Sequence, residues 1–212
     1  MTVQVLVCLS VTLSVVIVVL RRAEVVRRTD ETDVTVSFSL DGEGSGAGAV
    51  DTGIRFFDHM LASFAKHGRF DLRIRAVGDL EVDEHHTIED VGIALGSAIR
   101  ESFGDRAGIA RFGEARIPMD EAIASAVVDV SGRGYLVYNV GFRTSFVGGM
   151  GTRMVRHFFE SLSSNARITL HLEAAGEDDH HICEALFKAF GVALRRSAVL
   201  EGTGVPSTKG VL

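Results

Sequence analysis

The sequence is poor in cysteine and has no surplus of positive charge. Its 212 residues include two cysteines, Cys8 and Cys183, which are too few and too ill-matched for a disulfide framework. Such a chain fits a reducing compartment, and we expect a cytoplasmic protein. The formal net charge is −6, and the charges are dispersed along the chain. Because no basic stretch is available to neutralise phosphates, nucleic acid is not an expected partner.

The motifs of several enzyme classes are also missing. There is no HExxH string of a zincin-type site and no GxSxG string of a serine nucleophile. The glycine-rich stretch 41–46 is not followed by GK[ST], so it is predicted to be a turn and not a phosphate loop. The segments on either side, residues 34–40 and 47–51, are predicted to pair as a hairpin.

The first twenty residues lack charge, and arginine pairs follow at 21–22 and 27–28. A run of this length can span a bilayer, and the arginines would hold the remainder in the cytoplasm. No basic region precedes the run, as a signal peptide would require, and its valine-rich alternation is also typical of a strand. An appended or disordered extension, an anchor and an extra strand all remain open. We assign residues 1–22 to an apolar extension and expect no membrane partner.

One short string occurs twice, HHTIE at 85–89 and HHICE at 180–184. If each string begins a helix, its histidines lie three and four residues before its glutamate, and all three side chains point to one side. Asp83 in the first case, and Asp178 or Asp179 in the second, are candidates to cap the helix. Apolar residues then recur at helical spacing. Each string is therefore predicted to be half of a metal site on a helix that packs against the core.

The duplication extends upstream of these strings. His59 and His157 lie 98 positions apart, and the same offset places residues 70–74 on residues 168–172. Each half is therefore predicted to contain a helix, a strand, a glycine-containing turn and then a helix that begins with the HH string (the HH helix). His67 and His171 have no histidine at the matching position and are not expected to bind metal. Together the halves supply enough ligands for two sites of three histidines and one glutamate. These ligands are His59, His85, His86, Glu89, His157, His180, His181 and Glu184.

This donor set indicates a catalytic metal site. Imidazole and carboxylate without thiolate suit Mn, Fe or Zn, and ligand type alone does not choose among them. Sites with three histidines and one glutamate keep coordination positions open for water or substrate, which favours catalysis. A non-catalytic metal-binding or storage assembly is the alternative that the spacing leaves open.

Seven ordered motifs resemble those of imidazoleglycerol-phosphate dehydratase, the dehydratase of histidine biosynthesis. They are FFDHML, HHTIEDVGIALG, RFG followed by PMDEA, SGR, ITLHL, HHICEALFKAF and PSTKG. The resemblance covers residues 23–212, with repeats at about 23–110 and 111–205 and PSTKG in a C-terminal tail. It implies an α+β fold of two similar halves, each a four-stranded sheet backed by two helices. It also implies a large symmetric homo-oligomer, commonly a 24-mer, with ligands drawn from neighbouring subunits.

The resemblance also implies an activity and a set of site residues. The reaction is the dehydration of imidazole glycerol phosphate to imidazole acetol phosphate, with the substrate imidazole bound as imidazolate by two Mn(II) ions per active site. The expected catalytic residues are Glu31, Glu89 and Glu184; Glu89 and Glu184 are expected to act as metal ligands, and Glu31 is our candidate for acid–base proton transfer. The phosphate is expected to be held by Arg111, Arg133, Lys188, Ser207, Thr208 and Lys209.

Overall fold

The computed structural model of the chain describes residues 21–44 and 49–212. The predicted extension at residues 1–22 lies outside these ranges apart from Arg21 and Arg22, and Arg22 already begins the first strand. No helix among the described residues combines the length and the apolar character that crossing a bilayer requires.

The described part of the first half contains four strands and two helices. These elements are β1 (Arg22–Arg28), β2 (Thr32–Ser39), β3 (Val50–Asp51), α1 (Arg55–Gly68), β4 (Asp71–Gly78) and α2 (His85–Phe103). The strands form one sheet in the order β1-β2-β4-β3. β3 runs parallel to β4, and the other neighbours are antiparallel.

The second half repeats this plan. Its elements are β5 (Phe112–Met119), β6 (Ala122–Asp129), β7 (Tyr135–Val140), the small hairpin β8 (Phe146–Val147) and β9 (Met150–Gly151), α3 (Arg153–Ala166), β10 (Thr169–Ala175) and α4 (Asp179–Ser197). The sheet order is β5-β6-β10-β7, with β7 parallel to β10. The predicted α+β duplication, with a four-stranded sheet and two helices in each half, is therefore confirmed.

The predicted hairpin between residues 34–40 and 47–51 is wrong. β2 is flanked by β1 on one side and by β4 on the other, so neither of its edges is free. The short strand β3 instead joins the outer edge of β4 in parallel, and α1 lies between the two strands along the chain. A parallel pair needs such a crossover connection, which a tight turn cannot provide.

The four helices of the described residues form two layers between the sheets. α2 packs on β1 and β2, α4 packs on β5 and β6, and the helices meet in the pairs α1 with α4 and α2 with α3. Each sheet buries alternate residues on its inner face, as in β2, where Val34, Val36 and Phe38 are fully buried. The core therefore lies in the middle of the molecule, and each helix pair joins the two halves.

Glycines allow these helix pairs to approach closely. A Cβ added to Gly96 of α2 would lie 2.5 Å from the carbonyl oxygen of Leu162 in α3. A Cβ added to Gly191 of α4 would lie 2.5 Å from the carbonyl oxygen of Phe64 in α1. Both distances are too short for any side chain, so only glycine permits this spacing. The contact brings side chains of one half to the HH helix of the other.

Candidate metal centre

Two compact groups of histidine and glutamate form where helices of different halves meet. The α2 cluster contains His85, Glu89 and His157, and the α4 cluster contains His59, His180 and Glu184. In each cluster, one potential ligand atom from each residue lies within 4.8 Å of the others. In each cluster the glutamate and one histidine come from the helix that begins with an HH string. The remaining histidine, His157 or His59, comes from the opposite half of the chain and is called the lone histidine below. The structure thus brings together six of the eight predicted ligands.

The α2 cluster is open to solvent on one side but has a buried ring nitrogen at its centre. His157 Nε2 lies 3.3 Å from Glu89 Oε1, and the rings of His85 and His157 have centroids 4.5 Å apart. Among the described residues, His157 Nε2 is buried and has no hydrogen-bond partner, because the nearby carboxylate is not aligned for one. A buried nitrogen without a partner is costly unless a further group satisfies it. Its position among two other donors fits a metal ion.

The glutamate of the α4 cluster is buried, and a lysine lies beside it. Glu184 Oε2 lies 3.3 Å from His180 Nε2 and 3.4 Å from His59 Nε2, and Glu184 Oε1 lies 2.9 Å from Lys188 Nζ. Burial tends to raise the pKa of Glu184, but the hydrogen bond and charge of Lys188, together with His59, outweigh it and hold that pKa below its ordinary value. The carboxylate is therefore ionised and shares its two oxygens between a cation and two imidazoles.

The second histidine of each string does not join either cluster of its own chain. The two groups contain His85 and His180 but neither His86 nor His181, whose rings stand at 85° to those of the preceding histidines. Successive residues of a helix are rotated by about 100°, so neighbouring side chains at its start face different directions. The expectation that all three motif side chains point to one side is therefore wrong.

His86 is surrounded by carboxylates. Its Nδ1 lies 3.0 Å from Asp79 Oδ2, and its Nε2 lies 3.7 Å from Glu31 Oε1. The hydrogen bond with Asp79 is the main reason that the pKa of His86 is raised, and the charge of Glu31 adds to it. Glu31 stands in the turn between β1 and β2, and its side chain is more than half exposed. The candidate acid–base residue thus lies beside His86 and not inside either cluster.

His181 has a similar environment made from other residues. Its Nδ1 lies 2.7 Å from Glu121 Oε2, and its Nε2 lies 3.8 Å from Asp120 Oδ2. The hydrogen bond with Glu121 raises the pKa of His181. The backbone N–H of Asp178, followed by His181, lowers the pKa of Glu121 to about 2. Sequence reasoning gave no role to Asp79 or Glu121, although Asp79 lies in the aligned repeat and Glu121 in the PMDEA motif.

The predicted phosphate-binding residues occupy two separate places. Arg111 donates to Asp129 Oδ1 over 2.8 Å and to the carbonyl oxygen of Pro206 over 2.9 Å, so it holds the start of the tail that carries Ser207, Thr208 and Lys209. Arg133 follows the same end of β6.

Lys188 lies at the other end of the β5–β6 hairpin, where its Nζ is 3.5 Å from Met119 Sδ. Because β5 begins beside Arg111 and ends at Met119, these two ends are roughly 23 Å apart at the usual rise of a strand. One chain therefore does not bring Lys188 and Arg111 to the same phosphate.

Comparison with known proteins identifies the family. A sequence model described as imidazoleglycerol-phosphate dehydratase matches residues 52–194. The imidazoleglycerol-phosphate dehydratase of Methanococcoides burtonii is 58% identical over 193 residues, which cover 91% of this chain and 100% of that protein. The dehydratase of Methanosarcina mazei is 56% identical with the same coverage.

Solved structures agree with this assignment. The crystal structure of the Pyrococcus furiosus imidazoleglycerol-phosphate dehydratase is similar with a TM-score of 0.75 and 38% identity, covering 89% of this chain and 100% of that one. The Staphylococcus aureus enzyme gives a TM-score of 0.74 and 35% identity, covering 84% of this chain and 99% of that one. The family match also spans both clusters. The chain therefore belongs to the imidazoleglycerol-phosphate dehydratase family.

Proposed function

We propose that this chain catalyses the dehydration of imidazole glycerol phosphate to imidazole acetol phosphate in histidine biosynthesis. Membership of a hydro-lyase family over the full length of its relatives supports the reaction class. The observation that carries the proposal is the pair of His/Glu clusters, each built across the two halves. We further propose one dehydratase domain at residues 23–212, with repeats at about 23–110 and 111–205, in a cytoplasmic enzyme.

We propose that each cluster holds one metal ion and that Mn(II) is the physiological ion. Each cluster offers two imidazoles and one carboxylate, one imidazole fewer than the three-histidine, one-glutamate set. Fe and Zn accept the same donors. The fourth ligand in each case is His86 or His181, both of which are turned away from the clusters of their own chain. They would reach the metal of a neighbouring copy, so the complete site requires a homo-oligomer, and we propose a 24-mer.

The reaction removes a hydroxyl from C3 and a proton from C2 of the glycerol side chain, and the resulting enol becomes the ketone of the product. When bound, the metal ions supply Lewis-acid stabilisation of negative charge on the substrate imidazole as an imidazolate. We assign the proton transfers to Glu31. Its carboxylate is exposed and stands 3.7 Å from the outward nitrogen of His86, so it would lie at the edge of the shared site.

Two groups of cations would hold the substrate phosphate. Arg111 contacts the tail and Arg133 follows the same end of β6, whereas Lys188 stands beside the α4 cluster, roughly 23 Å away along β5. A substrate that contacts both groups must lie between copies of the chain. We propose that the tail residues Ser207, Thr208 and Lys209 of one copy act with Lys188 of another, with phosphate binding drawing Lys188 away from Glu184.

The test is turnover of imidazole glycerol phosphate by the purified, assembled protein after removal of metal and reloading with Mn(II). We expect Mn-dependent formation of imidazole acetol phosphate with two Mn(II) per chain, and loss of turnover on His85→Ala. A folded, Mn-loaded and assembled protein that makes no product would contradict the proposed reaction. That outcome would favour the non-catalytic metal-binding assembly.

A further inference from the structure

We propose that Asp79 and Glu121 are positioning residues for the two outward-facing histidines. Asp79 holds the ring of His86 and Glu121 holds the ring of His181, so that each ring presents its Nε2 as a ligand to a metal ion outside its own chain. This assignment rests on the proposed function, because it requires His86 and His181 to bind metal.

The hydrogen bonds define which ring nitrogen is left for the metal. Asp79 Oδ2 lies 3.0 Å from His86 Nδ1, and Glu121 Oε2 lies 2.7 Å from His181 Nδ1. An ionised carboxylate only accepts hydrogen bonds, so Nδ1 must donate its proton, and the lone pair of the neutral imidazole then lies on Nε2. A carboxylate behind the ring is the usual partner of a metal-binding histidine. Both outward rings therefore have the tautomer and the orientation that a ligand needs.

The carboxylates are themselves held in place. Glu121 Oε1 accepts hydrogen bonds from the backbone N–H groups of Asp178, over 2.8 Å, and Glu177, over 3.1 Å. Glu121 thus ties the β5–β6 turn to the start of α4, and its other oxygen remains for His181. Asp79 offers both oxygens to His86 Nδ1, at 3.2 and 3.0 Å. Each carboxylate therefore limits rotation of the ring in front of it.

The two halves achieve this contact with residues that do not correspond in the repeat. The counterpart of Asp79 is Glu177, which has no described contact between its side chain and His181. The counterpart of Glu121, as the residue just before the second strand of its half, is Glu31, which lies on the Nε2 side of His86. Duplication alone therefore does not explain why both Nδ1 atoms face a carboxylate. A shared requirement to hold the outward ring does explain it.

The same comparison accounts for the exposure of Glu31. Because Asp79 occupies the Nδ1 side of His86, Glu31 is not needed to hold the ring. Its side chain remains more than half exposed. In the second half, by contrast, the turn carboxylate of Glu121 is committed to His181 and to two backbone N–H groups.

The experiment compares Mn(II) binding by the full-length assembled protein and its variants, by calorimetry and by the EPR signal of unbound Mn(II). Asp79→Asn and Glu121→Gln are expected to weaken Mn(II) affinity by about 10- to 100-fold, since an amide can donate to Nδ1 and favour the wrong tautomer. Asp79→Glu and Glu121→Asp keep a carboxylate and are expected to restore most of the affinity. Glu177→Gln, the repeat counterpart of Asp79, is the matched control and is expected to bind as the wild type does.

The outcomes separate this assignment from the proposed function. If the wild type binds two Mn(II) per chain and Asp79→Asn and Glu121→Gln bind them equally well, the positioning role is wrong. If Asp79→Glu and Glu121→Asp bind Mn(II) as weakly as Asp79→Asn and Glu121→Gln do, a general disturbance of the surface explains the loss of affinity. The positioning role is then also wrong. If the wild type binds no Mn(II), the proposed metal chemistry fails first. Circular dichroism of the metal-free proteins checks that every variant is folded.

Discussion

The α2 and α4 clusters contain the same three side chains but differ in what lies behind the glutamate. Glu184 of the α4 cluster is 11% exposed and pairs with Lys188, four residues later on the helix. Glu89 of the α2 cluster is 37% exposed, and the residue four positions after it is Ile93. A metal ion bound at the α4 cluster would share its carboxylate with an ammonium group, whereas no lysine or arginine among the described residues pairs with Glu89 in the α2 cluster. The duplicated scaffold thus provides two clusters with the same residue types and unequal electrostatics.

The largest effect is expected from Glu31, the candidate acid–base residue. Glu31→Gln should lower kcat by roughly 100- to 10,000-fold, the usual range for loss of a general acid–base group, while leaving the Mn(II) content unchanged. Asp120→Asn is the matched control, because Asp120 stands at the corresponding distance from His181. Steady-state kinetics with metal analysis checks both. Undiminished turnover by Glu31→Gln would remove this residue from the mechanism.

Removing a lone histidine should empty the cluster of the opposite half. His59→Ala is expected to remove metal from the α4 cluster and His157→Ala from the α2 cluster, with kcat/KM falling more than about 100-fold, because loss of a direct ligand exceeds the usual effect of an outer partner. Metal content by mass spectrometry measures the loss. His171→Ala, on the exposed face of β10, is the control. Full metal content in His59→Ala would contradict the arrangement of ligands across the halves.

Replacing Lys188 should make the Mn(II) affinities of the two clusters alike. Lys188→Met is expected to raise the Mn(II) affinity of the α4 cluster by about tenfold, on the scale of a one-unit pKa change, because Glu184 then has no ammonium partner that competes with the metal. It should also raise KM through loss of a phosphate contact. Stepwise Mn(II) titration should show two classes of site in the wild type and one in the variant. Lys66→Met is the charge-matched control, and unchanged separation of the two classes in Lys188→Met would disprove the competition.

The smallest effect concerns the arginine that precedes the first strand of each half. Arg21 Nε donates to Asp41 over 3.0 Å, and Arg111 pairs in a similar way with Asp129. Burial tends to raise the pKa of Asp41, but Arg21 more than offsets it, so the pKa of Asp41 is lowered. This stabilisation is present above the unfolded pKa, near 3.9, and is lost as the pH falls through the lowered folded value.

Asp41→Asn should therefore cost about 1 kcal/mol or less at pH 7, since the pair is partly solvated, and its effect should shrink as the pH falls below about 4. Urea denaturation of wild type and variant at pH 7 and at pH 3 measures the difference. Arg28 pairs with Asp33 at a more exposed position, so Asp33→Asn serves as a control with a smaller cost. An equal cost of Asp41→Asn at both pH values would show that ionisation of Asp41 is not involved.

Local chemistry in the sequence predicts most of the elements around the site. The acidic residue before the second HH pair does cap its helix, since Asp178 accepts from the N–H of His180 over 2.7 Å. Asp179, the other candidate, instead accepts from the backbone N–H groups of Arg143 and Thr144. The apolar spacing of Ile88 and Cys183 correctly indicated buried helix faces. These features depend on neighbours within one or two turns, so a single sequence contains them.

The features that the sequence did not reveal depend on packing between distant segments. The internal repeat matched His59 with His157 but gave no sign that each would join the HH helix of the other half. That exchange depends on which helices pair, and on backbone contacts such as that of Gly96 with Leu162. The outward direction of His86 depends on Asp79 in a loop before the helix. Pattern and spacing cannot specify such contacts, because they arise only when the layers are stacked.

The crossing of ligands between halves has a consequence for the ancestry of the chain. A protein made of one half would contain no complete trio, because its lone histidine would face the HH helix of another molecule. It could bind metal only as a dimer in which each copy supplies its histidine to the other. Dilution would dissociate that dimer and separate the ligands. Fusion of two halves supplies the partner at an effective concentration on the order of millimolar, whatever the amount of protein. Once joined, the two copies no longer had to remain identical, and a lysine could arise behind one glutamate alone.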